Sequence, residues 1–165
     1  MNVLEHLEPK SVFRFFEEMC AIPHGSRNTK AVSDWCADFA RARGLEYHQD
    51  GDNNIIIIKE AAPGYEAAPP VILQGHLDMV CEQTADCQKD MSREGLDLAV
   101  DGDFVYAKGT TLGGDDGIAV AMALALLDAE GLPHPRLEAV FTVDEEIGLL
   151  GAASIDVTPL KGRQM

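Results

Sequence analysis

Hydrophobic residues recur at helical spacing in three parts of the chain. Residues 9–22 place their apolar side chains on one face, which predicts a first helix. A second helix is expected after a cap at Asn28 or Thr29, with Gly44 as its C-terminal stop. A third, long and apolar, is expected from residue 118 to about residue 130.

Shorter apolar runs alternate with these helices and predict β-strands. Residues 54–59 (NIIIIK) form a β-branched run of the kind found in buried strands. The predicted strands are residues 45–49, 54–59, 70–74, 96–100, 104–107 and 137–143. Helices that alternate with apolar strands indicate an α/β domain, with helices on both faces of a mostly parallel sheet.

Composition excludes several classes of partner. The chain has 165 residues, enough for one domain, with 13 Lys and Arg against 28 Asp and Glu and a net charge of −15. A polyanion would meet net repulsion, so we expect no nucleic-acid partner.

No run of residues approaches the ~20 apolar residues of a membrane span, and the start of the sequence lacks the order of a signal peptide. The four cysteines form no CxxC pair, as in a reduced, cytoplasmic protein.

Polar clusters follow the predicted strands at three places: His76 with Asp78, Asp115 with Asp116, and Glu145 with Glu146. Ligands of open α/β sheets collect at the carboxyl ends of strands, so these clusters are candidates for one site. One imidazole with several carboxylates and no thiolate suits zinc, manganese or cobalt.

Each cluster also has a plainer interpretation. His76 and Asp78 leave the same face of an extended segment, so the carboxylate could steady the imidazole, or the pair could be an ordinary polar strand end. Residues 110–117 (TTLGGDDG) look like a phosphate loop, but no Lys follows and the aspartates would repel phosphate. One aspartate there can cap the next helix. The other then either has no special role or is free to bind a metal.

The two glutamates are adjacent, and on extended backbone their side chains point to opposite sides. One could then bind metal while the other acts as general base. The alternative is a solvated acidic loop.

Three segments resemble consecutive motifs of the aminoacyl-histidine dipeptidases, in the right order: QGHLDMV (74–80), GTTLGGDDGI (109–118) and TVDEEIGLLGA (142–152). These enzymes belong to a family of zinc peptidases that also holds aminoacylases, tripeptidases and carboxypeptidases. The opening FxxFEEMCAIPHGS and the segment PGYE are similar to the same subgroup. The resemblance covers nearly the whole chain.

This resemblance implies a role for each site residue. His76 would bind one zinc ion, Asp115 would bridge both ions, and Glu146 would bind the other. Asp78 would orient His76, and Glu145 would be the general base that takes a proton from the attacking water. The substrate class would be small dipeptides of the Xaa-His type.

Two positions depart from the family pattern. Gly114 stands where the family usually has Ala, and Asp116 stands where it often has Asn. The second change adds negative charge beside the bridging position, which bears on metal affinity.

The resemblance also implies that residues 1–165 are the N-terminal portion of a catalytic domain. The lid or dimerisation domain, the C-terminal half and the remaining ligands have no counterpart here. The complete enzyme would be a homodimer, and this chain alone would be inactive. Two alternatives stay open: a tripeptidase or aminoacylase of the same family, and a non-catalytic remnant or metal-binding module.

Overall fold

Most predicted helices and strands form close to their expected positions. The computed structural model describes residues 3–165. In chain order the elements are α1 (Lys10–Cys20), α2 (Lys30–Ala42), β1 (Glu46–Gln49), β2 (Ile55–Lys59), β3 (Val71–His76), β4 (Leu98–Asp101), β5 (Phe104–Ala107), α3 (Gly114–Asp128), β6 (Leu137–Thr142) and α4 (Leu150–Ser154). No helix among the described residues is long and apolar enough to cross a membrane.

The main sheet has four strands in the order β1-β2-β6-β3. The α/β class is confirmed, but the strand directions differ from the expected mostly parallel sheet. The pairs β1–β2 and β2–β6 are antiparallel, and the pair β3–β6 is parallel. A short turn with Asn53 in the left-handed region (φ 76°) joins β1 to β2, and a connection this short forces an antiparallel pair. The run of isoleucines in β2 is buried because both faces of the sheet are covered.

The three long helices α1, α2 and α3 lie on one face of the sheet, not on both. Ile55 and Ile57 of β2 and Phe141 of β6 point toward this face and join the apolar sides of all three helices in one core. Phe15 of α1 packs edge-on against Phe39 of α2, with ring centroids 5.4 Å apart. We call this side the helical face.

The other side of the sheet, which we call the open face, is covered by the C-terminal segment. Ile56, Ile58 and Val140 form a small buried cluster there, with Ile155 and Leu160 packed against it. Neighbouring residues of a strand point to opposite faces, so β2 supplies side chains to both clusters.

Glu138 fastens the C-terminal segment to the open face. Its carboxylate is fully buried and accepts hydrogen bonds from the backbone N–H groups of Lys161 (2.9 Å) and Gly162 (2.9 Å). The guanidinium of Arg136 lies 2.7 Å from the same carboxylate. Beyond this point the carbonyl of Gln164 accepts the backbone N–H of Ile72 at 2.9 Å, so the segment reaches the outer edge of β3.

Candidate metal centre

His76 is the last residue of β3 and lies opposite Thr142, the last residue of β6. Since these two strands are parallel, the loops that follow them start at the same edge of the sheet. The His76 imidazole is 93% buried, and its Nδ1 lies 2.9 Å from the backbone carbonyl of Asp78. Its Nε2 faces Asp115 Oδ1 at 3.2 Å and Glu145 Oε2 at 3.8 Å. The ring is therefore held from one side and offers its second nitrogen to the carboxylates.

Asp78 steadies His76 mainly through its carbonyl rather than through its side chain. The carboxylate Oδ1 is 3.5 Å from Nδ1, which is long for a hydrogen bond, so it adds chiefly charge. The carboxylate of Asp78 nevertheless raises the pKa of His76 to about 9, against the opposing effect of burial. The backbone carbonyl of Asp78 and the carboxylate of Asp115 add to this increase.

The Asp78 carboxylate is fully buried and accepts three hydrogen bonds from two other segments of the chain. Ser26 Oγ donates to Oδ2 at 2.7 Å, and the backbone N–H groups of Glu145 and Glu146 donate at 3.0 and 3.4 Å. Burial alone would raise the pKa of Asp78. The contacts with His76, Ser26 and the two amides outweigh burial and lower that pKa to about 2. Asp78 is therefore a fixed negative charge beneath the imidazole.

Asp115 and Asp116 lie in the turn that opens α3, and their φ and ψ angles are not helical. The turn begins at Gly113 with φ 69°, where a Cβ atom would come within 2.9 Å of Met79 Sδ. The side chain of Asp115 is 89% exposed and points to His76. The N-terminal cap position of α3 is Gly113, and it makes no side-chain cap bond, so the expected capping by an aspartate is not observed.

Asp116 packs back against the sheet. Its Oδ2 would lie 3.0 Å from a Cβ atom at Gly75, and the imidazole and backbone of His76 are near enough to favour its charged form. Burial raises the pKa of Asp116, and the nearby Asp115 and Glu145 add to the effect. The extra carboxylate at this position is thus turned toward the backbone of β3.

Glu145 and Glu146 lie in a turn, not on the extended backbone expected from the sequence. Asp144 adopts a left-handed conformation (φ 54°), and Glu145 accepts backbone hydrogen bonds from Gly148 and Leu149. Both glutamate amides point to the single carboxylate of Asp78. The turn therefore brings both side chains to the same end of the sheet as His76.

Among the described residues, one group of side chains could hold a metal ion: His76, Asp115 and Glu146. One ligand atom from each lies within 4.8 Å of the others. An imidazole and two carboxylates form a donor set that suits zinc or another divalent ion, which would displace the proton of the imidazole on binding, and the buried, hydrogen-bonded ring is already oriented. The residues present fit a metal site.

Two contributors at this site have contacts that the sequence does not indicate. Ser26 ends the segment FxxFEEMCAIPHGS and Asp144 lies in TVDEEIGLLGA, but neither segment shows what these side chains contact. Ser26 lies about fifty positions before Asp78 in the chain, and Asp144 accepts the backbone N–H of Arg27 at 2.6 Å.

Comparison with known sequences identifies relatives of this chain. Residues 72–160 match the model of the peptidase family M20/M25/M40. The cytosol non-specific dipeptidase of Escherichia coli is 38% identical over 152 residues, which is 92% of this chain and 31% of that protein. The chain therefore spans about a third of the length of this relative.

Solved structures show the same relationship in three dimensions. The aminoacylhistidine dipeptidase of Vibrio alginolyticus superposes with a TM-score of 0.93 at 36% identity, over 96% of this chain and 32% of that one. A tripeptidase from Staphylococcus aureus shares the fold, with a TM-score of 0.74 at 22% identity, over 93% of this chain and 41% of that one. The chain belongs to the peptidase family M20/M25/M40.

Proposed function

We propose that this chain supplies the first part of a metal-dependent dipeptidase site that hydrolyses small dipeptides, including those of the Xaa-His type. The observation that carries the proposal is the convergence of His76, Asp115 and Glu146 within 4.8 Å, with the imidazole held from behind by Asp78. The two relatives named as dipeptidases support the substrate class.

Each site residue has a distinct part in this proposal. His76 and Glu146 are terminal metal ligands, and the exposed Asp115 lies where it could bridge two ions. When bound, zinc supplies a Lewis acid that polarises a carbonyl group and makes water more acidic. Glu145 takes a proton from the attacking water and passes it to the leaving amine.

Burial and contacts support this division between the glutamates. The Glu145 carboxylate is 35% exposed and lies 3.8 Å from Nε2 of His76, so it lies beside the candidate ligands and stays open to solvent. Asp78, fully buried, keeps the imidazole oriented and adds no ligand of its own.

The number of ligands limits what the chain does alone. A catalytic zinc ion takes about three protein ligands, and two ions that share a bridge need more than His76, Asp115 and Glu146. We infer that the chain alone holds one ion among these three residues, and that the two-ion arrangement, with His76 on one ion and Glu146 on the other, needs further ligands. Residues 1–165 would then be the N-terminal portion of a longer catalytic unit, cytoplasmic and homodimeric, in which manganese or cobalt could replace zinc.

A groove beside the ligands offers room for a substrate side chain. It has a volume of about 470 Å³ and extends from His76 and Asp115 along apolar residues of the open face, including Val140 and Leu149. Pockets of this size and character bind small ligands.

The test separates binding from turnover. Zinc binding to the purified chain, measured by calorimetry, should be weakened strongly by Glu146→Gln and little by Glu145→Gln, since a general base is not a ligand. A panel of Xaa-His dipeptides with excess zinc or manganese should show no turnover by the chain alone. Equal loss of zinc in both variants would contradict the division of roles. Turnover that disappears in Glu145→Gln would contradict the expected inactivity and mean that the site is completed some other way, as by a second subunit.

A further inference from the structure

The Asp78 carboxylate is the point where three separate segments of the chain meet. It receives the backbone amides of Glu145 and Glu146, which follow β6, and it lies beside the His76 imidazole at the end of β3. The remaining donor, and the shortest contact at 2.7 Å, is the hydroxyl of Ser26, from the loop between α1 and α2. That loop contributes no metal ligand in the proposed function.

The backbone that carries Ser26 is fixed on both sides of the hydroxyl. The N–H of Met79 donates to the carbonyl of His24 at 3.1 Å, and the N–H of Ser26 donates to the carbonyl of Met79 at 3.2 Å. On the other side, the N–H of Arg27 donates to Asp144 Oδ1 at 2.6 Å. The loop thus bridges the segment after β3 and the turn after β6, the two places from which the site residues come.

Close packing holds the loop in this position. A Cβ atom at Gly25 would lie 2.5 Å from Cys81 Sγ, so a larger residue there would force the Cys81 side chain to shift. Arg27 and Asp144 both adopt the left-handed conformation (φ 66° and 54°), which the hydrogen bond between them helps to hold. A displacement of the backbone that carries Ser26 would therefore break several contacts at once.

We propose that Ser26 is a positioning residue of the metal centre, acting through Asp78. A buried carboxylate can rotate about its terminal torsion unless its oxygens are fixed. By binding Oδ2, Ser26 leaves Oδ1 turned toward His76 and the amide of Glu145, with Oδ2 also near the amide of Glu146. The Ser26 hydroxyl thereby sets the position of the turn that carries Glu145 and Glu146 relative to His76.

This inference rests on the proposed function only as far as metal binding is concerned. The arrangement of the two glutamate amides is a property of the metal-free chain. The test therefore has one readout without metal and one with metal, so that the two ideas can fail separately.

The experiment compares Ser26→Ala with Ser92→Ala in the full 165-residue chain. Ser92 is a matched control because its hydroxyl also donates to an aspartate, Asp90, at an exposed position. In metal-free chain, nuclear magnetic resonance should show the amide signals of Glu145 and Glu146 shifted and exchanging faster in Ser26→Ala, and unchanged in Ser92→Ala. With zinc chloride, calorimetry should show affinity about tenfold or more lower in Ser26→Ala, as for other groups that orient metal ligands.

The outcomes are distinct. Unchanged glutamate amides in folded Ser26→Ala overturn the positioning role, whatever the metal does. Failure of the unaltered chain to bind zinc counts against the proposed function and leaves the amide readout to decide on Ser26. Loss of melting temperature without a change at the amides would indicate a merely structural role.

A second pair of variants covers the case in which Ser26→Ala does not fold. Ser26→Thr keeps the hydroxyl. Ser26→Val introduces a side chain of nearly the same shape as threonine but without the hydroxyl. The proposal expects Ser26→Thr to preserve the amide signals and the zinc affinity, and Ser26→Val to lose both. Equal behaviour of the two variants, in either direction, contradicts it.

Discussion

The two faces of the sheet are built by different means, although β2 and β6 contribute to both. The helical face is sealed by three helices over one continuous core. The open face has a small apolar cluster, and it is covered by a segment that Glu138 fastens through a buried carboxylate. Large apolar side chains remain exposed around it, among them Leu149 (54%) and Val157 (55%).

Most of the close packing thus lies on one face, and the groove of the candidate site opens on the other. Close packing on the helical face supplies most of the buried apolar area, while the groove beside the metal ligands opens on the other side. The open face therefore depends on a few polar contacts, which are strong only while each buried group keeps its partner.

The largest expected effect comes from the adjacent, equally buried isoleucines Ile57 and Ile58. Ile57 faces the helices and Ile58 faces the open side, with exposed fractions of 0% and 2%. We expect Ile57→Ala to lower the free energy of unfolding by about 4 kcal/mol and Ile58→Ala by about 2 kcal/mol, because the small cluster can collapse around the cavity. Urea denaturation measures both, and equal losses would mean that the faces are equally packed.

The next prediction tests how strongly the Glu138 carboxylate holds the C-terminal segment on the open face. Glu138→Gln removes a charge beside the buried Arg136, and we expect a loss of about 3 kcal/mol in the free energy of unfolding. The control is Glu60→Gln, since Glu60 also pairs with Arg136 but its side chain is 70% exposed. That variant should lose less than about 1 kcal/mol. Similar losses in both would show that burial of Glu138 contributes nothing.

The smallest expected effect is the pH dependence of the free energy of unfolding that the buried Glu138 carboxylate causes. Burial would raise the pKa of Glu138, but Arg136 and the amides of Gly162 and Lys161 hold it below its ordinary value. A lowered pKa stabilises the folded chain above the unfolded value of about 4.3, and this stabilisation is lost as the pH falls through the folded pKa. The unaltered chain should therefore lose more stability on acidification than Glu138→Gln, by up to about 1.4 kcal/mol per pH unit. Parallel curves of unfolding free energy against pH would contradict this.

Local patterns predict the helices and strands well, because spacing of apolar residues reports which side of an element is buried. The runs that predict α1, α2 and the six strands lie within a few residues of the observed bounds. Strand direction and the placement of helices on one face depend on how elements meet, and an apolar run such as Ile55–Ile58 is the same in a parallel or an antiparallel sheet.

For the site, the sequence identifies the polar clusters at strand ends, and the structure brings His76, Asp115 and Glu146 together. Their roles as metal ligands stay a prediction. The turn at Asp144 and the contact of Ser26 with Asp78 could not be predicted, because no local pattern records which distant loop will meet a buried carboxylate.

The outer edge of β3 also bears on how the chain behaves in concentrated solution. Amides at alternate positions of an edge strand point outward and can recruit a strand from another molecule. Here the amide of Ile72 is taken by the carbonyl of Gln164, and the Asp116 carboxylate lies close to the backbone of Gly75 and His76. An added strand would therefore meet the C-terminal segment near one end of β3 and a carboxylate near the other, and we expect it to pair poorly with this edge.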